Sequence, residues 1–110
     1  MEIKEEKIDN VYLLKLMGRL DASCASQLKE AVLAMIDADK LKVLIDMAAV
    51  DFVDSSGLGT LVTCLRSVSK AGGTFKITSL NENPKSLFES TRLDRVFELY
   101  DSRNAALSSF

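Results

Sequence analysis

Apolar residues recur along this chain with two periods in turn, that of a β-strand and that of an α-helix. The strand-like segments are residues 3–8, 11–17, 41–46, 74–78 and 96–100. The helical segments run from residue 21 or 23 to about 37, from 56 to about 71, from about 83, and from about 102. Strands that alternate with helices predict right-handed crossovers and a mainly parallel sheet. We therefore predict an α/β fold, β-β-α-β-α-β-α-β-α, with about five strands in a mixed sheet covered by about four helices.

Turn and capping residues mark the junctions in the first half. Asp9-Asn10 tolerates the positive φ angles of a tight turn, which predicts an antiparallel hairpin at the start of the chain. Gly18 is predicted to end the second strand, and Asp21 or Ser23 to cap the first helix. Residues 41–46 are nearly all apolar without alternation, which predicts the central strand of the sheet.

Similar signals divide the second half. Gly72-Gly73 is predicted to end the second helix. Asn83-Pro84 offers a cap followed by a proline suited to the first helical position, so a short third helix is predicted to begin there. Asp101-Ser102 is predicted to cap the last helix.

The second helix carries two contrasting faces. Its predicted buried stripe is Leu58, Leu61, Val62, Leu65 and Val68, and the opposite face carries Ser56, Thr60, Thr63 and Ser67. Serine and threonine are not favoured by helix propensity, and a small, uncharged, hydrogen-bonding surface is easily desolvated against a partner. This predicts a docking face centred on Ser56, although a chance composition on a non-functional helix explains the same residues.

Composition limits the function classes. The chain has 110 residues, which is one domain; 47% are hydrophobic, 27% are charged, and the net charge is −2. We expect no direct nucleic-acid partner, because there is no basic field, and no membrane association, because no apolar run approaches the roughly 20 residues that span a bilayer. The chain lacks histidine, so we expect no enzymatic activity, no metal and no cofactor. Cys24 and Cys64 predict reduced, structural thiols in a cytoplasmic protein.

The most informative segment is Asp54-Ser55-Ser56-Gly57-Leu58-Gly59, where a strand pattern gives way to a helical one. A helix start has unpaired N–H groups and partial positive charge, so an anion placed on a hydroxyl there is stabilised. If Asp54 or Ser55 is the cap, Ser56 enters the first turn with its hydroxyl outward, which makes it the preferred phosphate acceptor and Ser55 the second choice. The structural alternative is an ordinary cap followed by a glycine that permits close packing.

Residues 46–59 resemble the signature of anti-sigma factor antagonists, the stand-alone STAS domains of bacteria. The resemblance extends to the hairpin, to residues 18–21 before the first helix, and to the closing pattern of Leu93, residues 96–97 and residues 105–107. Ala48-Ala49 replaces a more usual polar or glycine-containing pair, and Arg92 stands where many members have glycine.

The resemblance implies a STAS fold and a partner-switching function. Unphosphorylated members bind an anti-sigma factor that is also a serine kinase, which releases a sigma factor; the kinase phosphorylates the residue matching Ser56, and a serine phosphatase reverses this. Asp21 and Asp54 match aspartates near the contact surface. The full partner-binding set expected here is Asp21, Asp54, Ser55, Ser56, Gly57, Thr60, Thr63 and Ser67, on a monomer or weak dimer. The alternative is a STAS scaffold or regulatory subunit of a signalling or transport complex that undergoes no phosphorylation.

Overall fold

Five strands and four helices follow one another in the predicted order in a computed structural model that describes all 110 residues. Two short 3-10 turns, Ala22–Cys24 and Leu93–Arg95, lie between them. The elements are β1 (Glu2–Ile8), β2 (Val11–Leu20), α1 (Ala25–Asp37), β3 (Lys42–Val53), α2 (Ser55–Lys70), β4 (Thr74–Thr78), α3 (Glu82–Ser90), β5 (Glu98–Tyr100) and α4 (Arg103–Ser108). The predicted order of elements is therefore confirmed.

The sheet has the order β1-β2-β3-β4-β5, so β3 is its central strand as predicted. β1 and β2 form the antiparallel hairpin, closed by the pair Ile8 and Val11, with Asp9 at φ 56° in the turn. The other three pairs, β2·β3, β3·β4 and β4·β5, are parallel. The sheet is therefore mixed and mainly parallel, which confirms the predicted class.

Two strands are longer than their patterns predicted. Gly18 does not end β2: it lies inside the strand at φ +116°, beside register shifts against β3, and the strand continues to Leu20. Glycine adopts this conformation without steric cost, so it introduces a bulge in the strand and does not terminate it. β3 continues to Val53, although its pairing with β4 ends at Asp46.

Two junctions in the second half also differ from prediction. α3 begins at Glu82 after Asn81, so Asn83 is its second residue and not its cap, and Pro84 is its third. Proline is tolerated there because N–H groups of the first turn have no intrahelical acceptor. β5 begins at Glu98, because the chain ahead of it forms a 3-10 turn that starts at Arg92 in the left-handed conformation. Ser102 caps α4 as predicted, accepting from Ala105 N–H at 3.1 Å.

Alternate residues along the strands divide the interior between two faces of the sheet. The face beneath α1, α2 and α3 is here called the helix face. Its side chains and those of the three helices form a cluster of 20 buried residues. The opposite face, here called the α4 face, has a cluster of four, Val11, Leu13, Leu44 and Ala106. None of the helices has both the length and the apolar content that a membrane crossing requires.

Candidate functional site

The start of α2 is fixed by Asp54. Its backbone is extended, and its side-chain Oδ1 accepts from the N–H of Gly57 at 2.8 Å, while its carbonyl accepts from the N–H of Leu58 at 2.9 Å. This decides between the two predicted caps: Asp54 is the N-cap, and Ser55 is the first helical residue. Ser56 is then the second helical residue.

Ser55 and Ser56 are both exposed. Their N–H groups belong to the first turn, where a helix has no intrahelical acceptors and carries partial positive charge. Because Asp54 already holds the N–H of Gly57, the helix start does not depend on either serine hydroxyl. The arrangement therefore presents two exposed hydroxyls, neither of which is needed for the cap, at a site that favours negative charge.

Gly57 attaches the start of α2 to the end of β2. A Cβ built on Gly57 would lie 2.1 Å from the carbonyl oxygen of Leu20, a distance that real Cβ atoms do not reach. The same carbonyl accepts from the N–H of Asp54 at 3.3 Å. Only glycine permits this approach, so the continuation of β2 past Gly18 supplies the surface on which α2 begins.

Side-chain amides support the strand that leads into the site. Beyond Asp46, β3 pairs with β2 alone, and the amide Nδ2 of Asn81 donates to the carbonyls of Ala48 and Val50 at 3.0 and 2.9 Å. The Oδ1 of Asn83 accepts from the N–H of Val53, the residue before Asp54, at 3.3 Å. Asn83 therefore serves the central strand, which is why it is not the cap of α3. The sequence signal was two asparagines around Glu82, directly after a strand.

Asp21 lies beside this helix start, because the residues before Asp21 and Asp54, Leu20 and Val53, are paired across β2 and β3. The prediction that Asp21 caps α1 is wrong in detail, because Asp21 caps the 3-10 turn that precedes α1. Its carboxylate accepts hydrogen bonds from the hydroxyl and the N–H of Ser23. These hydrogen bonds hold the pKa of Asp21 below its ordinary value, so the carboxylate is charged at neutral pH.

Thr60 corrects the predicted docking face. Its side chain is only 3% exposed, and its Oγ1 donates to the carbonyl of Ser56 at 2.9 Å. Thr60 precedes Cys64 by four residues and Ser67 by seven, so it lies on the flank of α2 that faces α1, and a leucine stripe alone does not reveal which flank is covered. An internal acceptor lets the threonine hydroxyl be buried without an unsatisfied donor.

The other two residues of the predicted docking face differ in exposure. Thr63 is exposed, and its Oγ1 donates to the carbonyl of Gly59 at 3.0 Å. Ser67 is half-buried and lines a small cleft of about 50 Å³ between α1 and α2. The cleft is lined by Lys29, Val32, Leu33, Thr63, Cys64 and Ser67. On α2, the exposed residues nearest Ser56 are thus Ser55, Gly59 and Thr63, and Thr60 is not among them.

In a chain without histidine, cysteine and carboxylate side chains are the remaining candidates for metal binding. No group of three or more Cys, Asp or Glu side chains is arranged to hold a metal ion. Cys24 and Cys64 are free thiols in the interior, and burial raises the pKa of Cys64 to about 12. The exposed chemistry at the start of α2 is therefore that of hydroxyls and carboxylates at a helix start.

The site thus consists of a mixed five-stranded sheet whose central strand leads into a capped helix start with two exposed serines. The model of the STAS domain family matches residues 2–106, so the chain belongs to that family.

Relatives named as anti-sigma factor antagonists match most of the chain. The anti-sigma-B factor antagonist of Listeria monocytogenes is 29% identical over 99 residues, covering 90% of this chain and 86% of that protein. A crystal structure of an anti-sigma factor antagonist from Mycobacterium paratuberculosis superimposes with a TM-score of 0.88 at 27% identity, covering 98% and 92% of the two chains. The phosphorylated form of the Bacillus cell fate determinant SpoIIAA, at 16% identity, shares the fold with a TM-score of 0.75 over 98% of each chain. The predicted STAS fold and the resemblance to anti-sigma factor antagonists are confirmed.

Proposed function

We propose that this protein is a cytoplasmic anti-sigma factor antagonist controlled by phosphorylation of Ser56. In the unphosphorylated state it binds an anti-sigma factor that is also a serine kinase, and this binding releases a sigma factor. Phosphorylation by that kinase ends the binding, and a serine phosphatase restores it. The protein acts by binding and catalyses no reaction of its own.

The observation that carries the proposal is the division of tasks between Asp54 and Ser56. Asp54 caps α2 through Gly57, while Ser56 is exposed in the first turn. A phosphate adds about −1.5 to −2 of charge near neutral pH, and a helix start stabilises an adjacent negative charge by about 0.3–1 kcal/mol. The phosphorylated domain therefore keeps its fold.

The effect of the phosphate is exerted at the contact surface. A bulky, hydrated dianion replaces a small neutral hydroxyl, beside the carboxylates of Asp21 and Asp54. Desolvating that dianion costs binding free energy, and any anionic group of the partner is repelled. The named relatives support this proposal, because they are anti-sigma factor antagonists that match most of the chain.

The first test is phosphorylation by purified anti-sigma factor serine kinases encoded in the same genome, with ATP. Tryptic digestion yields the peptide of residues 43–66, and its fragmentation separates Ser55 and Ser56 from Thr60 and Thr63. We expect one phosphate, on Ser56. The matched control is Ser55→Ala, which retains phosphorylation, whereas Ser56→Ala abolishes it. Phosphate that persists in Ser56→Ala contradicts the site.

The second test is the affinity for the same kinase. We expect Ser56→Ala to bind as wild type does, and Ser56→Asp to bind at least about 10-fold more weakly, a loss of about 1.4 kcal/mol. Both variants should have the melting temperature of wild type within about 2 °C, because Ser56 has no part in the cap. Equal affinity for Ser56→Asp and wild type would exclude the proposed switch.

A further inference from the structure

Two glycines within the first two turns of α2 have different structural requirements. A side chain at Gly57 would collide with the carbonyl of Leu20, so the fold needs glycine there. A Cβ built on Gly59 meets no atom within 4 Å apart from its neighbouring residues and the backbone of its own helix, and the residue is exposed. The packing of the domain therefore accounts for Gly57 and gives no reason for Gly59.

Backbone conformation does not explain Gly59 either. The glycines at positive φ are Gly18 and Gly72, and Gly59 lies within the regular part of α2. Glycine in the interior of an exposed helix lowers stability relative to alanine, because it loses more backbone freedom on folding. The fold is therefore less stable with glycine at this position than with alanine.

The position of Gly59 relates it to the serine pair. It follows Ser55 by four residues and Ser56 by three, and it precedes Thr63 by four, which are the spacings of neighbours on one helix face. Counted at about 100° per residue, Gly59 lies about 60° from Ser56 on the side away from Thr60. The flank that carries Thr60 is covered by α1, so Gly59 occupies the open flank.

We propose that Gly59 lets the anti-sigma factor approach the backbone of α2 closely, and that it thereby determines the fit of the docking surface. The inference rests on the proposed function, since the occupant is the same serine kinase that binds at Ser56. Glycine allows such an approach because no side chain separates the two surfaces. A methyl group at this position keeps the partner farther from the serine hydroxyls.

The test measures stability and affinity together for Gly59→Ala and Gly59→Leu. Both residues are strong helix formers, so we expect the melting temperature to rise by about 4 °C in Gly59→Ala. Affinity for the purified kinase that phosphorylates wild type should fall about 10-fold in Gly59→Ala and at least about 100-fold in Gly59→Leu. Ser69→Ala is the matched control, because it improves the same helix at an exposed position near its other end and should leave affinity unchanged.

The outcomes separate this inference from the proposed function. A more stable Gly59→Ala that binds the kinase with wild-type affinity overturns the inference and leaves the Ser56 switch intact. A less stable Gly59→Ala also overturns it, because the fold would then need the glycine. If wild type neither binds nor is phosphorylated by any of the purified kinases, the proposed function and the inference both fail.

Discussion

The two faces of the sheet are stabilised in different ways. The helix face is an apolar core, in which Phe88 packs edge-to-face on Phe97 with ring centroids 5.3 Å apart. The α4 face has far fewer apolar residues and three of the four buried polar side chains, Asp46, Lys76 and Thr78. α1, α2 and α3 are therefore held by apolar burial, and α4 is held largely by polar contacts.

Polar contacts made by Arg103 and Lys76 hold α4 on the sheet. Arg103 donates to the buried carboxylate of Asp46 at 2.8 Å, and the ammonium of Lys76 donates to the carbonyl of Ser109 at 2.8 Å. Lys76 also lies over the rings of Tyr100 and Phe110. The proposed phosphorylation site at the start of α2 therefore lies on the side of the sheet that is held by apolar burial, and we expect α4 to loosen more easily than α2.

The largest expected effect comes from the helix face. Phe88→Ala should lower the free energy of unfolding by about 3–5 kcal/mol, because Phe88 is fully buried and the cavity left by the ring cannot close completely. Urea denaturation measures the loss. Phe88→Leu is the control, and it should cost clearly less, since it retains most of the apolar volume. Equal losses in both variants would contradict a packed apolar core.

An intermediate effect is expected on the α4 face. Arg103→Ala leaves Asp46 buried with the N–H of Ala48 as its remaining partner, and should cost about 2 kcal/mol. The side chain of Arg103 is 37% exposed, so solvent keeps the cost below that of a fully buried pair. Hydrogen exchange should accelerate in residues 103–108 and stay unchanged in α2. Faster exchange at the start of α2 would show that the two faces are not independent.

The smallest effect is a pH dependence. Burial raises the pKa of Cys64, on the helix face, from 9.0 to about 12. Above pH 9 the unfolded chain releases this proton while the folded chain keeps it, so the free energy of unfolding falls as pH rises, by about 1 kcal/mol near pH 10. On the α4 face, the hydrogen bond to Asp46 raises the pKa of Arg103 above its ordinary value. Arg103 therefore stays protonated up to pH 10 and does not lower the free energy of unfolding there.

Comparison with Cys64→Ala isolates the thiol from the other groups that titrate near pH 10. The variant should lose less stability between pH 8 and pH 10 than wild type does, whatever its starting stability. Parallel pH profiles for the two proteins would mean that Cys64 is not protected from solvent by the fold.

Local signals in the sequence were sufficient for the order of elements and for the start of α2. The apolar run at residues 41–46 marked the central strand, and a carboxylate before two serines and a glycine marked a helix start. These features depend on near neighbours in the chain. The same local rules left Asp54 and Ser55 as alternative caps, and the hydrogen bond from the N–H of Gly57 to Asp54 decides between them.

The errors concern contacts between distant residues. Thr60 is buried because α1 covers one flank of α2, and helical periodicity does not say which flank that is. Asn83 bonds to Val53, 30 residues away, so its role could not be read from the residues beside it. A glycine at position 18 is compatible with the end of a strand or with a bulge inside one. The pairing of β2 with β3, which continues to Leu20, shows that it is a bulge.

Asn81 has a consequence for solubility at high concentration. The end of β3 that extends beyond β4 is an unpaired strand edge, and such edges recruit strands from other molecules into growing sheets. By donating to the carbonyls of Ala48 and Val50, the amide of Asn81 occupies the groups that an intruding strand would need. One side chain thus protects the central strand against edge-to-edge aggregation next to the proposed docking surface.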